Sequence, residues 1–212
     1  MLIQKLSLSR AQPHKTSSSK GFTLTEIAIV LGIIGLILGA IWVAASKVYA
    51  NQKVGKATTQ MINVVQGIRS LYSTSSVTGL ADTTDMTFAI CSASVFPSDT
   101  IPSTGCGTSA APATISNPWN GATTIASTSV AVAATGDAFM IKMAGVPTTG
   151  CTALMTSLGG IGRDPGLIYL GVPAYAVASA TAFPVTLATA TAAAQCTSAA
   201  TVTLSAVFKL KG

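Results

Sequence analysis

Lys20-Gly21-Phe22-Thr23-Leu24-Thr25-Glu26 leads directly into a run from Ile27 to Ala45 that contains no charged residue. At about 1.5 Å per residue, a helix from Phe22 to Ala45 would be long enough to cross a hydrocarbon core of about 30 Å. One carboxylate, that of Glu26, lies near the start of this apolar segment. Because a charged side chain at the centre of a membrane helix costs about 3 kcal/mol, we expect Glu26 to have a partner or a function.

The positive charge of the chain is concentrated ahead of this segment. The chain has 212 residues, with 12 Lys and Arg against 6 Asp and Glu, which gives a net charge of +6. Four of the basic residues precede Phe22, so the rest of the chain is nearly neutral. Positive charge before an apolar helix is typical of a cytoplasmic flank. No basic patch is interleaved with aromatic residues, so the sequence gives little support to specific nucleic-acid binding.

Two ordinary interpretations of the apolar segment are open. It could be a signal anchor that tethers a periplasmic domain, or a secretory signal peptide cleaved at the small residues Val43-Ala44-Ala45, before Ser46. Against the signal peptide, the apolar run exceeds the usual length of about 7–15 residues. A carboxylate inside a segment that is discarded would also have no purpose.

A third interpretation rests on a resemblance to a known family. The sequence from Gly21 to Gly35, GFTLTEIAIVLGIIG, closely resembles the start of type IV pilins, whose precursors carry a class III leader. In that family a prepilin peptidase cleaves after the glycine and methylates the new amino terminus. The resemblance implies that residues 1–21 are a cytoplasmic leader that is removed, and that Phe22 becomes the methylated first residue. It also implies that Glu26 is the acid required for assembly.

The resemblance gives the Glu26 carboxylate a partner. Cleavage after Gly21 would create a positively charged amine within one helical turn of Glu26. Opposite charges attract strongly at low dielectric, so the amine of an incoming subunit could pair with Glu26 of the subunit before it. Gly32, Gly35 and Gly39 would allow the apolar helices to approach closely.

A second apolar pattern continues the helix beyond the membrane. Apolar residues recur at three- and four-residue spacing at Val54, Ala57, Met61, Val64, Ile68 and Leu71. Ser73-Thr74-Ser75-Ser76 and Gly79 then end the pattern. We therefore expect one helix over residues 22–73, of which 22–45 lie in the membrane or a filament core. The remainder would pack on a globular head of residues 74–212.

The head sequence predicts an antiparallel sheet, so the fold class is α+β. Residues 122–133 and 138–144 are typical of a hairpin, and Phe139, Ile141 and Met143 alternate with Met140 and Lys142 as in a half-buried strand. Pro147 predicts a helix start and Gly159-Gly160 its end. The alternating residues from Val202 to Leu210 predict a terminal strand.

The tight turn Asn117-Pro118-Trp119-Asn120-Gly121 precedes the predicted hairpin. A similar Trp-containing turn leads into the sheet of type IVb pilins. Trp119 could be a binding platform, but packing at the turn is the better interpretation.

Four cysteines follow the apolar segment: Cys91, Cys106, Cys151 and Cys196. An even number in a translocated region favours disulfides, and sequence alone leaves all three connectivities open. A cysteine on a helix after a strand resembles type IVb pilins, where that cysteine pairs with one near the C-terminus. The resemblance therefore implies Cys151–Cys196, with Cys91–Cys106 as the second bond and the 151–196 region as a surface flap. Neither a CxxC pair nor a histidine other than His14 is present, so we expect no metal site.

The sequence predicts a structural protein rather than an enzyme, and it predicts no cofactor. Paired carboxylates, a Ser/His arrangement and a phosphate-binding loop are all absent from it. The resemblance implies a subunit of a type IV, IVb-like pilus. Such a subunit is a precursor in the bacterial inner membrane and then part of an extracellular filament of identical subunits. Its partners would be the prepilin peptidase and the inner-membrane assembly machinery. The alternatives are a minor pilin, a type II secretion pseudopilin, or an anchored periplasmic binding or adhesive domain that does not polymerise.

Overall fold

The computed structural model describes residues 21–130, 135–172, 181–191, 195–197 and 199–211. The chain divides into two compact units between Ala45 and Ser46. The helices in the described ranges are α1 (Leu24–Leu71), α2 (Thr87–Ser92), α3 (Thr148–Gly159) and α4 (Leu187–Ala190). The strands are β1 (Ile115–Ser116), β2 (Ala122–Thr128), β3 (Ala138–Pro147), β4 (Leu167–Gly171) and β5 (Thr201–Lys209), and a short 3-10 turn covers Ser98–Thr100.

Helix α1 begins and ends two residues inside the predicted range of 22–73. Every residue of α1 up to Ala45 is exposed. By length and composition, α1 is apolar enough to cross a membrane. The first part of the helix thus has the apolar surface that the sequence predicted.

The second part of α1 buries one face in the core of the unit that begins at Ser46. Four residues of the predicted stripe are buried, whereas Leu71 remains 49% exposed. Two residues outside that stripe, Gln60 and Val65, are also buried. The Gln60 Nε2 atom donates a hydrogen bond to the carbonyl oxygen of Ser116 on strand β1 at 3.2 Å, whereas its buried Oε1 atom has no hydrogen-bond partner among the described residues.

The strands form one antiparallel sheet with the order β1-β2-β3-β5-β4. Strands β2 and β3 form the predicted hairpin, although residues 131–133 of its predicted first strand lie outside the described residues. The predicted terminal strand is β5, and it lies between β3 and β4. Phe139 on β3 pairs with Phe208 on β5, and their rings stack with centroids 5.8 Å apart.

Strand β3 is buried on both faces, so the predicted half-buried pattern is wrong at Met140. This side chain is only 3% exposed. Its neighbours across the sheet are Ala126 on β2 and Val207 on β5. Met140, Val207 and Ala138 form a second, smaller buried cluster, and Val130 and Tyr169 pack against it. The alternation of residues within β3 does not predict that Met140 is buried, because the side chains that bury it include Tyr169 and Val207, which are distant in sequence.

The region between the second pair of cysteines is more than a surface flap. Helix α3 buries Leu154 and Met155 completely or almost completely. Strand β4 lies in the same region and pairs with β5. The described part of residues 151–196 therefore contributes to both the core and the sheet, while residues 173–180 and 192–194 lie outside the description.

The Asn117 side chain holds the turn between β1 and β2 and links it to β3. The Oδ1 atom of Asn117 accepts hydrogen bonds from the backbone N–H groups of Trp119 and Gly121, at 2.9 and 3.1 Å. Its Nδ2 atom donates to the Ala144 carbonyl oxygen at 2.7 Å. Trp119 packs against the core, and a Cβ added at Gly150 would lie 2.8 Å from its ring atom Cζ2. The indole therefore acts as a packing group at the start of α3.

An ion pair joins the end of α1 to the loop before β4. Nη1 and Nη2 of Arg69 donate to Oδ2 and Oδ1 of Asp164 at 2.6 and 2.9 Å, and Nε of Arg69 donates to the Lys209 carbonyl oxygen at 3.2 Å. Partial burial raises the pKa of Asp164, but hydrogen bonds from Arg69 and the Gly166 N–H, with the Arg69 charge, outweigh it and lower the pKa below its ordinary value. No pattern in the sequence indicates this pair.

Candidate processing and assembly site

Gly21 and Phe22 immediately precede the first capped turn of α1. Neither residue is part of the helix, and the Phe22 side chain is 77% exposed. Thr23 caps the helix: its Oγ1 atom accepts a hydrogen bond from the Glu26 backbone N–H at 3.2 Å. The peptide bond between Gly21 and Phe22 therefore lies in non-helical backbone, next to a defined helix start.

Glu26 lies in the first turn of α1 and is exposed. A carboxylate is favoured at this position because the first turn presents unpaired N–H groups and the positive end of the helix dipole. Gly21, Phe22 and Glu26 lie within six consecutive residues around the start of α1.

The helix cap at Thr23 is a feature that the sequence analysis missed. The order Thr23-Leu24-Thr25-Glu26 fits the pattern in which a hydroxyl residue at the cap is followed three residues later by Glu. This pattern could have moved the predicted helix start from Phe22 to Leu24.

The helix surface beyond Glu26 is apolar and uncovered. The large apolar side chains are 45% exposed or more throughout this part of α1, from Ile27 through Val43. At Gly32, Gly35 and Gly39, a Cβ would meet no atom within 4 Å. At roughly 25 cal/mol per Å² of apolar area, leaving this surface in water is costly, so it requires lipid or other helices as cover.

The four cysteines form two disulfides, Cys91–Cys106 and Cys151–Cys196. These are the pairs that the resemblance implied. Cys151 and Cys196 are completely buried, and Cys91 is 2% exposed. One bond fastens α2 to the loop that follows it, and the other fastens α3 to the segment after α4.

Over the described residues, no group of three or more His, Cys, Asp and Glu side chains could hold a metal ion. The aspartates take part in local structure instead. Asp85 accepts a hydrogen bond from the Thr87 N–H at 2.7 Å, and Asp137 accepts one from the Val130 N–H at 2.8 Å. Asp82 accepts one from the Ser129 hydroxyl at 2.5 Å.

Comparison with known proteins finds a match for the N-terminal apolar segment and another for the rest of the chain. The prokaryotic N-terminal methylation motif matches residues 16–42, which include Gly21, Phe22 and Glu26. A family model described as PilS N terminal matches residues 51–207, which is most of the chain. None of the curated proteins matches the chain.

A solved structure shares the fold. The crystal structure of a type IVb pilin from Salmonella typhi matches 74% of this chain and 99% of its own, with a TM-score of 0.52 and 20% sequence identity. At that identity the likeness establishes the α+β pilin fold, with its long apolar helix and antiparallel sheet. Together with the two sequence matches, it shows that the chain belongs to the PilS family and is a type IV pilin.

Proposed function

We propose that the protein is a prepilin cleaved between Gly21 and Phe22, methylated at the Phe22 amine and assembled into a IVb-like pilus. The observation that carries the proposal is the coincidence of the methylation motif with a capped helix start and an exposed apolar helix. Membership of a pilin family indicates a structural, non-enzymatic role. The leader would be residues 1–21, the assembling helix 22–73 and the head 74–212.

Assembly depends, in this proposal, on the charge of Glu26. Its carboxylate is exposed in the first turn of α1, where it can reach a neighbouring subunit. The Phe22 amine of the incoming subunit pairs with it, and the apolar surfaces of the helices then cover each other. Transfer of α1 from lipid into a bundle of identical helices keeps its apolar surface covered throughout, so little exposure to water opposes assembly.

Before cleavage, the chain is anchored in the bacterial inner membrane by residues 22–45, with its basic leader in the cytoplasm. A prepilin peptidase and methyltransferase acts there, and the assembly machinery of the inner membrane extracts the subunit. The final location is an extracellular filament whose main partner for each subunit is another copy.

The test is the mass of the N-terminal peptide of the chain purified from its native membrane and from sheared surface filaments. We expect N-methylated Phe22 as the first residue in both fractions. An N-terminus at Ser46, or an intact leader, would refute the processing site. A chain that is dominant in sheared filaments is a major subunit, whereas a trace amount beside another pilin identifies it as a minor one.

A further inference from the structure

The part of α1 that follows the apolar segment begins with positive charge. Lys47, Lys53 and Lys56 are the first charged residues after the charge-free run, and α1 has no acidic residue beyond Glu26. Basic residues are usually concentrated on the cytoplasmic side of a membrane helix, where this chain already has its leader. Three lysines at the opposite end of the apolar segment are therefore unusual, and a partner with negative charge would explain them.

The described part of the chain does not supply that partner. Its one salt bridge is Arg69–Asp164, so none of the three lysines is paired with a carboxylate of the described residues. Lys53 and Lys56 line an open groove of about 720 Å³, and Asp99 lines it too. Asp99 is exposed on the 3-10 turn. One carboxylate against two ammonium groups leaves the groove with a net positive charge.

The Lys53 ammonium group leans toward the apolar segment. Side chains on a helix tilt toward its N-terminus, which in α1 is the direction of the apolar residues 27–45. Nζ of Lys53 lies 4.8 Å from the centre of the Tyr49 ring, which is one turn closer to that segment. Lysine side chains behave in this way at membrane surfaces, where the charge reaches the polar layer and the stem covers apolar surface.

Aromatic residues mark the same end of the apolar segment. Trp42 and Tyr49 are the two aromatic residues of α1, and they are 79% and 61% exposed. Trp and Tyr are enriched where a membrane helix meets the lipid headgroups, because their rings are apolar and their N–H and O–H groups are polar. Lys53 and Lys56 therefore follow, in the chain, the residues that are typical of the headgroup layer.

We propose that Tyr49, Lys53 and Lys56 bind the headgroup of an anionic phospholipid while the subunit is anchored in the membrane. This inference rests on the proposed function, in which α1 is a membrane anchor before it enters a filament. The phosphate oxygens accept hydrogen bonds from the lysine ammonium groups, and each lysine near an anionic membrane surface strengthens binding about fivefold. An acidic protein or a nucleic acid would also complement the charge. A lipid accounts in addition for the aromatic residues and for the direction of the Lys53 side chain.

The first experiment measures lipid binding by the full chain in nanodiscs that contain equal amounts of phosphatidylglycerol and phosphatidylcholine. Native mass spectrometry gives the ratio of the two lipids that remain bound. We expect the double variant Lys53→Gln with Lys56→Gln to lower the bound ratio of phosphatidylglycerol to phosphatidylcholine at least fivefold. The matched variant Lys209→Gln with Lys211→Gln also removes two exposed lysines, and it should keep the wild-type ratio. The basic leader contributes equally to all three proteins.

The control variant makes the result specific to the groove. An unchanged ratio for the Lys53 and Lys56 variant, or an equal fall for both variants, would refute the proposed site. A wild-type chain that does not insert into the nanodiscs would instead contradict its role as a membrane anchor, and with it the proposed function.

The second experiment identifies the occupant of the groove in cells. A photoreactive benzoylphenylalanine replaces Gln52, which lines the groove, and the membrane fraction is irradiated. We expect adducts of the subunit with an anionic phospholipid, identified by their mass. The matched control replaces Gln66, which is also exposed on α1 but farther along the chain from the apolar segment, and it should give none. Cross-links from position 52 to a second copy or to another protein would overturn the proposal, as would the absence of lipid adducts.

Discussion

Asp164 links the end of α1 to the loop before β4 through its ion pair with Arg69. Its side chain is 33% exposed, and that of Arg69 is 23% exposed, so solvent screens the pair in part. The native state holds the pKa of Asp164 below its ordinary value, despite the opposing effect of burial. A carboxyl with a lowered native pKa stabilises the fold at pH values above its unfolded pKa of about 3.9. That contribution is lost as the pH falls through the native value.

We therefore expect Asp164→Asn to lower the free energy of unfolding by about 1 kcal/mol at pH 7. The difference from wild type should shrink as the pH drops below about 4, because the Asp164 carboxyl is then protonated first in the unfolded chain and, at lower pH, in the native protein. Urea denaturation of the full chain in detergent, followed from pH 7 to pH 2.5, measures both effects. Asp99→Asn, which removes an exposed aspartate, is the control. A difference that persists unchanged at pH 2.5 would contradict this account.

The proposed roles of the residues around Glu26 could be predicted from the sequence because these residues are close together in the chain. Gly21, Phe22 and Glu26 lie within six consecutive residues, and the charge-free run follows at once. The Arg69–Asp164 pair joins residues 95 positions apart, so no local pattern predicts it. The 98% exposure of Ile161 could not be predicted from the sequence either, because an isoleucine between two glycines is compatible with a buried or an exposed position.

At the scale of elements, the Cys151–Cys196 bond ties α3 to the segment after α4, and its sequence separation is 45. The Cys91–Cys106 bond has a separation of 15. If the disulfides act mainly by restricting the unfolded chain, the bond that closes the longer loop contributes about 4 kcal/mol to the free energy of unfolding. The bond that closes the shorter loop contributes about 3 kcal/mol. Full burial of Cys151 and Cys196 adds packing contacts to the longer closure.

The double variant Cys151→Ala with Cys196→Ala is therefore expected to lose about 4 kcal/mol of unfolding free energy. The matched variant Cys91→Ala with Cys106→Ala should lose about 3 kcal/mol. Chemical denaturation of the full chain in detergent, under oxidising conditions, compares the two. A larger loss for the Cys91–Cys106 variant would mean that local packing outweighs chain closure in this head.

Elements with their own boundary signals were predictable from the sequence. Pro147 and Gly159 bound α3, and the alternating residues before Leu210 identified β5. Strand β4 was missed because it is five residues long and depends on β5 for its pairing. The second buried face of β3 was missed for the same reason, since Val207 lies far from Met140 in sequence.

At the scale of the whole molecule, the proposed function makes Glu26 necessary for assembly but not for processing. Glu26→Val should yield normal amounts of methylated Phe22, because the cleaved bond lies five residues earlier in the chain. Filament yield should fall at least tenfold, since the incoming amine then has no charge partner. Ile27→Val is the control, because it leaves the charges and the apolar surface in place. Immunoblots of membrane and sheared filament fractions measure the result, and normal piliation of Glu26→Val would refute the charge pair.

The position of β5 between β3 and β4 has a consequence for the proposed export of the head. Strands β3 and β4 both depend on β5 for hydrogen bonds, yet β5 follows them in the chain. In the proposed export of the head across the bilayer, residues 201–209 arrive after the strands that they join. Until they arrive, the edges of β3 and β4 that pair with β5 have unpaired backbone groups that are open to strand exchange with neighbouring chains. Under the proposed function, a newly made subunit is therefore protected from misassembly only once β5 has paired.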